Sequence, residues 1–198
     1  MIEILHGAFD DVDVNLALKY MGYVKGFALD ETLEKEIEFC RRQTLSAQKL
    51  CAVYDVYSVH IDGAIIDMGF AKIKSNDLAK NLSRCKKVAV FACTVGAEVD
   101  RLIAKYKQIA PSRSLIFQAL GSALAERWAD EVNNIITTKY GATAPRFSCG
   151  YGDLGIEVQR DVFNSLYVQK NLGVTLGESY FMTPTKSITA FVGIKDGK

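Results

Sequence analysis

Eight consecutive residues, Arg146-Phe147-Ser148-Cys149-Gly150-Tyr151-Gly152-Asp153, concentrate the chemistry of this chain. The guanidinium of Arg146 is always charged, and its planar fork grips a carboxylate or phosphate through paired hydrogen bonds. Gly150 and Gly152 free the backbone to turn and approach a partner closely. The phenol of Tyr151 donates or accepts a hydrogen bond at a ligand, and it fits equally a ring packed on a sheet with its hydroxyl in water. Ser148 adds a hydroxyl, although its backbone is the more useful part. Asp153 reads as the cap of a helix that starts near Gly155. Cys149 would need a base to act as a nucleophile, and the two histidines, His6 and His60, lie far off in sequence. The neighbouring arginine is the one feature that could lower its thiol pKa.

Glu126 is a second candidate. Helical spacing puts Ala119, Ser122, Ala129 and Asp130 on its face. A helical glutamate is most often a solvated surface residue. The alternative is that these small neighbours leave room for a ligand, with the carboxylate facing a cation. Trp128 extends the apolar stripe of Leu120, Leu124 and Val132 and reads as core.

Other chemistries lack support. There is no GxGxxG, P-loop or GxSxG pattern. The five cysteines (Cys40, Cys51, Cys85, Cys93, Cys149) are odd in number, show no CxxC spacing, and read as reduced, buried small hydrophobes. With two histidines far apart in sequence, no zinc or other metal site is expected. The chain has 198 residues, 49% hydrophobic and 24% charged, which suits one globular domain over residues 1–198. Its 24 basic and 23 acidic residues create no field that favours nucleic acid or an anionic membrane. No apolar run approaches the roughly 20 residues of a membrane span. The N-terminus lacks the pattern of a secretory signal, so a cytoplasmic location is expected.

The elements that must position these residues follow from periodicity. The first third reads as mostly helical: Val14–Met21 ending at Gly22, then a helix from about Asp30 to Lys49. Ala52–Ile61 and Ala64–Phe70 read as strands joined at Asp62-Gly63. Ser75 caps a short helix through Leu82. Lys87–Cys93 is an apolar strand followed by a helix after Gly96. The longest helix runs from about Ser112 to Tyr140, with Gly141 as its stop. A helix from about Gly155 to Lys170 and extended segments at Val174–Phe181 and Ser187–Ile194 complete the chain. Strands and helices do not alternate as a doubly wound parallel sheet requires. The expected class is α+β: a mainly antiparallel sheet packed with long helices, and a helical N-terminal region.

Four stretches in order resemble the activation (reactivation) domain of cobalamin-dependent methionine synthase, in its stand-alone bacterial form. They are Val88–Gly96; Gln118–Glu126; Arg146-x-Ser148-x-Gly150-Tyr151-Gly152-Asp153 with Gln159; and Leu176-x-Glu178-Ser179-x-x-Met182-x-Pro184-x-x-Ser187. The match is close over residues 87–194 and loose over 1–86. The resemblance implies an accessory protein that binds S-adenosylmethionine and docks on the cobalamin-binding domain of a methionine synthase or another corrinoid protein. There, one electron from a donor such as flavodoxin or ferredoxin, and the methyl group of S-adenosylmethionine, return inactive cob(II)alamin to methylcobalamin. By position, Glu126, Arg146, Ser148 and Gly150 would contact S-adenosylmethionine, Arg146 through its carboxylate, and Tyr151 would face the corrin. No residue is expected to act as a catalytic nucleophile or base. The family often has proline where Cys149 stands, and its ligand-binding aspartate near the domain's start and tyrosine near its end have no convincing counterpart here. An alternative is therefore a protein-interaction module that keeps the fold without the ligand, and a further one a methyltransferase for some other acceptor.

Overall fold

The apolar run in mid-chain becomes the spine of a sheet. The computed structural model describes residues 1–24 and 28–195; residues 196–198, over which the single-domain reading also runs, lie outside them. Four strands, β1 (Glu3–Gly7), β2 (Leu50–Ser58), β6 (Cys85–Thr94) and β9 (Ser187–Lys195), lie in the order β1-β2-β6-β9, every pair antiparallel. The remaining strands are β3 (His60–Asp62), β4 (Ile65–Asp67) and β5 (Lys72–Lys74), which form a small sheet, and β7 (Thr175–Leu176) and β8 (Met182–Thr183), which pair with each other. The helices are α1 (Val14–Tyr20), α2 (Glu31–Ala47), α3 (Asn76–Asn81), α4 (Ala97–Ile109), α5 (Pro111–Tyr140), α6 (Gln159–Ser165) and α7 (Val168–Leu172).

Both faces of the central sheet are covered, which explains why β6 shows no polar alternation. Ala89, Phe91 and Cys93 pack with buried residues of α1, α2, α4 and α5. Val88, Val90 and Ala92 point the other way, to a second cluster built from α3, α6, α7 and the small sheet. The class is α+β with an antiparallel sheet, as the periodicity predicts. No described helix is long and apolar enough to cross a membrane.

Several local expectations change. The first third is not mainly helical, because β1 and β2 supply half of the central sheet. Residues 1–86 therefore share a core with the rest of the chain. The strand expected over Ala52–Ile61 ends at Ser58, and the hairpin turns one residue later than Asp62-Gly63, since Asp62 pairs with Ile65 around Gly63 at φ +59°. The helix expected over Gly155–Lys170 breaks at Tyr167, whose φ of +48° cannot continue a right-handed helix. Between Val174 and Phe181 only Thr175–Leu176 is strand.

Trp128 fixes α5 to the sheet. It is 2% exposed, and its Nε1–H donates to the Cys51 carbonyl at 3.0 Å. Gly7 of β1 is glycine for the same reason: a Cβ there would lie 2.7 Å from the indole ring. At the other end of the sheet, a Cβ on Gly193 would meet Cys85 Sγ and Leu82 Cδ2 at 2.7 Å each. Gly193→Ala should overpack this corner and cost about 1–3 kcal/mol. A urea midpoint that falls without a change in slope is the expected result; an unmoved midpoint would contradict it.

Candidate functional site

Arg146 and Glu126 meet. The loop that carries Arg146 hangs from β9, where Phe147 N–H donates to the Phe191 carbonyl at 2.9 Å and Phe191 N–H returns the bond at 2.7 Å. This places the guanidinium over α5. Its Nη2 donates to Glu126 Oε2 at 2.7 Å and its Nη1 to Asp130 Oδ1 at 3.0 Å. The arginine side chain is 19% exposed, the glutamate 38% and the aspartate 71%. Glu126 is thus no free surface carboxylate. Equally, the cation expected to await a ligand carboxylate already serves two carboxylates of the protein.

The rest of the loop is a tight turn. Gly150 (φ +84°) and Gly152 (φ +53°) take conformations that other residues resist. Tyr151 N–H donates to the Ser148 carbonyl at 3.2 Å, and Gly150 N–H to the Leu154 carbonyl at 3.1 Å. One backbone group each of Ser148 and Gly150 is therefore engaged inside the turn. Tyr151 is 60% exposed, its ring edge-on to Phe147 at 6.3 Å. Cys149 is buried, and burial pushes its thiol up to about 11, which disfavours a thiolate near neutral pH.

Asp153 is a cap, but of another helix. Its carboxylate accepts from the Ser75 hydroxyl, from Asn76 N–H at 2.8 Å and from Asp77 N–H at 3.2 Å, all at the start of α3. The expected cap near Gly155 is thereby corrected: the turn at Gly152 aims Asp153 back at residues 75–77 rather than forward. The Ser75 hydroxyl first, then these amides, hold the carboxyl far below its ordinary 3.8. A depressed native pKa contributes stability above the unfolded value, and the contribution is lost as pH falls through the native one. Asp153→Asn should lower the melting temperature at pH 7, and the gap to wild type should narrow as the pH falls below 3.8. An equal gap at every pH would contradict this cap.

Two clefts meet at Glu126. One, of about 760 Å³, lies between α1, α2 and α5, with Asp13, Glu34, Glu38 and Asp130 on its walls. The other, of about 380 Å³, is lined by Tyr20, Leu115, Gln118, Ala119, Ser122 and Glu126. Both volumes fall in the range of about 300–1,000 Å³ that suits small ligands. Tyr20, the last residue of α1, is 50% exposed. Burial raises its phenol, and the negative charge of Glu126 adds to the effect, with smaller contributions from Tyr151 and Asp130 and an opposing one from Arg146. Tyr20 is a site residue that the sequence does not betray, since a tyrosine at a helix end is ordinary.

Lys186 is another. It lies just before β9, is 6% exposed, and its Nζ donates to Ser122 Oγ at 2.9 Å behind the smaller cleft. Burial lowers its pKa, which Asp100 partly offsets.

Comparison with known proteins bears on the family and the fold. The family model described as vitamin B12 dependent methionine synthase, activation domain, matches residues 76–196. Among solved structures, the chain is similar to a crystal structure of the MetH reactivation domain bound to AdoHcy, with 15% identity and a TM-score of 0.73. The likeness covers 100% of this chain and 80% of that one, and at this identity it speaks for the fold. No protein of curated function matches. Glu126, Arg146 and Lys186 lie inside the span of the family model; Tyr20 lies outside it.

Proposed function

Because the chain belongs to the activation domain family of vitamin B12 dependent methionine synthase, we propose that it binds S-adenosylmethionine and serves the reductive methylation of cobalamin carried by a partner protein. The observation that carries this reading is the half-buried Arg146–Glu126 pair, whose glutamate lines both clefts on α5. S-adenosylmethionine brings an ammonium and a sulfonium, and Glu126 is the carboxylate placed to meet a cation. Arg146 holds that carboxylate in position and keeps its remaining N–H donors for the polar edge of the ligand. Ser148 and Gly150 contribute the backbone groups left free by their turn. Tyr151, exposed beside them, faces the corrin of the partner.

The chain's own work is positioning. The ligand supplies the methyl group and the partner supplies the cobalt, so the domain has to hold one against the other. The partner is the cobalamin-binding domain of a methionine synthase or related corrinoid protein, and the electron comes from a donor such as flavodoxin or ferredoxin.

One observation favours a second reading. Arg146 is neutralised by Glu126 and Asp130, as in a domain that keeps the fold as an interaction module and has lost the ligand. Calorimetry with S-adenosylmethionine separates the two. Saturable binding that weakens in Arg146→Ala supports the ligand-binding reading. No heat, even with the corrinoid partner present, supports the second.

A further inference from the structure

Among the described residues, two besides the glycines hold a positive φ, and both are tyrosines: Tyr167 at +48° and Tyr180 at +61°. Glycine adopts such a conformation at little cost, whereas a residue with a Cβ is strained there. Elsewhere the chain gives this task to glycine, as at Gly141 after α5 and Gly173 after α7. The break between α6 and α7 is finished by other side chains. The Tyr57 hydroxyl donates to the Ser165 carbonyl at 3.3 Å, and Asn171 Nδ2 donates to the Leu166 carbonyl at 2.8 Å. The Tyr167 ring stands 62% exposed and is not needed for either bond. A strained backbone that displays a ring to solvent is explained by what the ring meets there.

Both tyrosines serve one cleft. It measures about 950 Å³, larger than either cleft at Glu126, and is walled by α6, α7 and the residues around Leu176–Glu178. Its floor belongs to the cluster of α3, α6 and α7, across the central sheet from α5. Tyr167 and the buried Phe163 supply its aromatic surface, and Arg160 and Lys170 supply two cations. Among the described residues neither cation is engaged in an ion pair. Tyr180 holds Arg160 in place, with the guanidinium 5.3 Å from the centre of its ring. Tyr180 is itself pinned: its N–H donates to the Gly177 carbonyl at 3.0 Å, and its carbonyl accepts from the buried Gln159 at 2.9 Å.

An exposed ring beside two available cations matches a heteroaromatic base that carries a phosphate. The base stacks on Tyr167, and the phosphate takes Arg160 and Lys170. Glu178, on the same wall, suits an N–H at the edge of the base. An aliphatic anion would use the cations and not the ring; a neutral ring would use Tyr167 and not the cations. With a net charge of +1 the chain has no field for a nucleic-acid polymer, so the fitting occupant is a free nucleotide. The volume suits one.

We propose that this cleft is a separate ligand site, which takes a nucleoside monophosphate through Tyr167, Arg160 and Lys170. It does not rest on the S-adenosylmethionine reading, whose site lies on α5.

The test is calorimetry of the full chain with AMP, GMP, CMP and UMP, with their nucleosides, and with inorganic phosphate. At least one monophosphate should bind saturably, and its nucleoside and inorganic phosphate should each bind about tenfold more weakly or worse. Tyr167→Gly should weaken that nucleotide by about tenfold or more, yet raise the melting temperature, because glycine relieves the backbone. Tyr167→Asn, which also tolerates a positive φ, repeats the test should the glycine variant fail to fold. Arg160→Ala should bring the nucleotide to within about threefold of its nucleoside. Saturating S-adenosylmethionine should leave the nucleotide's affinity unchanged. No saturable binding of any of the four overturns the proposal, as does an affinity that survives either substitution. Competition with S-adenosylmethionine also overturns it, since that would put the nucleotide at Glu126. All three results leave the S-adenosylmethionine reading intact.

Discussion

Glu126→Gln should weaken S-adenosylmethionine binding by about 10- to 100-fold while leaving the fold unchanged. A hydrogen bond to a charged group contributes about 1.5–3 kcal/mol, and each 1.4 kcal/mol is a factor of ten in affinity. Glutamine keeps the size and one acceptor of the side chain but removes the charge that faces the ligand's ammonium. Arg146 keeps its bond to Asp130 at 3.0 Å, so the variant does not strand a half-buried cation. Asp130 itself is 71% exposed, and Asp130→Asn should change affinity by less than about threefold. Calorimetry on the pair of variants decides the matter. Equal affinities for wild type and Glu126→Gln would reduce the Arg146–Glu126 contact to an ordinary surface ion pair.

The largest effect on stability should come from Trp128→Ala, about 3–5 kcal/mol. The indole is 2% exposed, its N–H is matched by the Cys51 carbonyl, and Gly7 of β1 is fitted against its ring. Removing it leaves a cavity between α5 and the edge of the sheet and a carbonyl without its partner. A loss of this size is a large share of the roughly 5–15 kcal/mol that holds a domain folded. Trp128 is the chain's one tryptophan, so unfolding has to be followed by circular dichroism rather than fluorescence. A loss below about 1 kcal/mol would show that the edge of the sheet repacks without the indole.

How much of this was legible in the sequence varied with how local the cause was. Strand β6 and helix α5 were plain, because an unbroken apolar run and a long stripe ending in glycine depend on little else. Strand β1 was not, because five residues with a half-exposed pattern acquire their meaning only when β2 lies alongside. Helix α6 could not be told from α7, because the break at Tyr167 is a backbone reversal by a residue that carries no turn signal. At the site, the Arg146–Tyr151 loop stood out by composition, and Glu126 was ambiguous until the fold set it against Arg146. Asp153 reads as a cap from its type alone, but the helix it caps lies 76–78 residues away and no local signal points to it. Lys186 and Tyr20 were invisible. Lysine is an exposed residue by default, and only packing across Gly121 reveals this one as buried.

The central claim is tested most directly by reactivation. A methionine synthase that lacks this domain, with its cobalamin in the cob(II)alamin state, is mixed with a reductant and S-adenosylmethionine, and the cobalamin spectrum is followed. Methylcobalamin should return when this protein is added, and slowly or not at all with Glu126→Gln. A spectrum that stays at cob(II)alamin with wild-type protein and a competent partner would contradict the account.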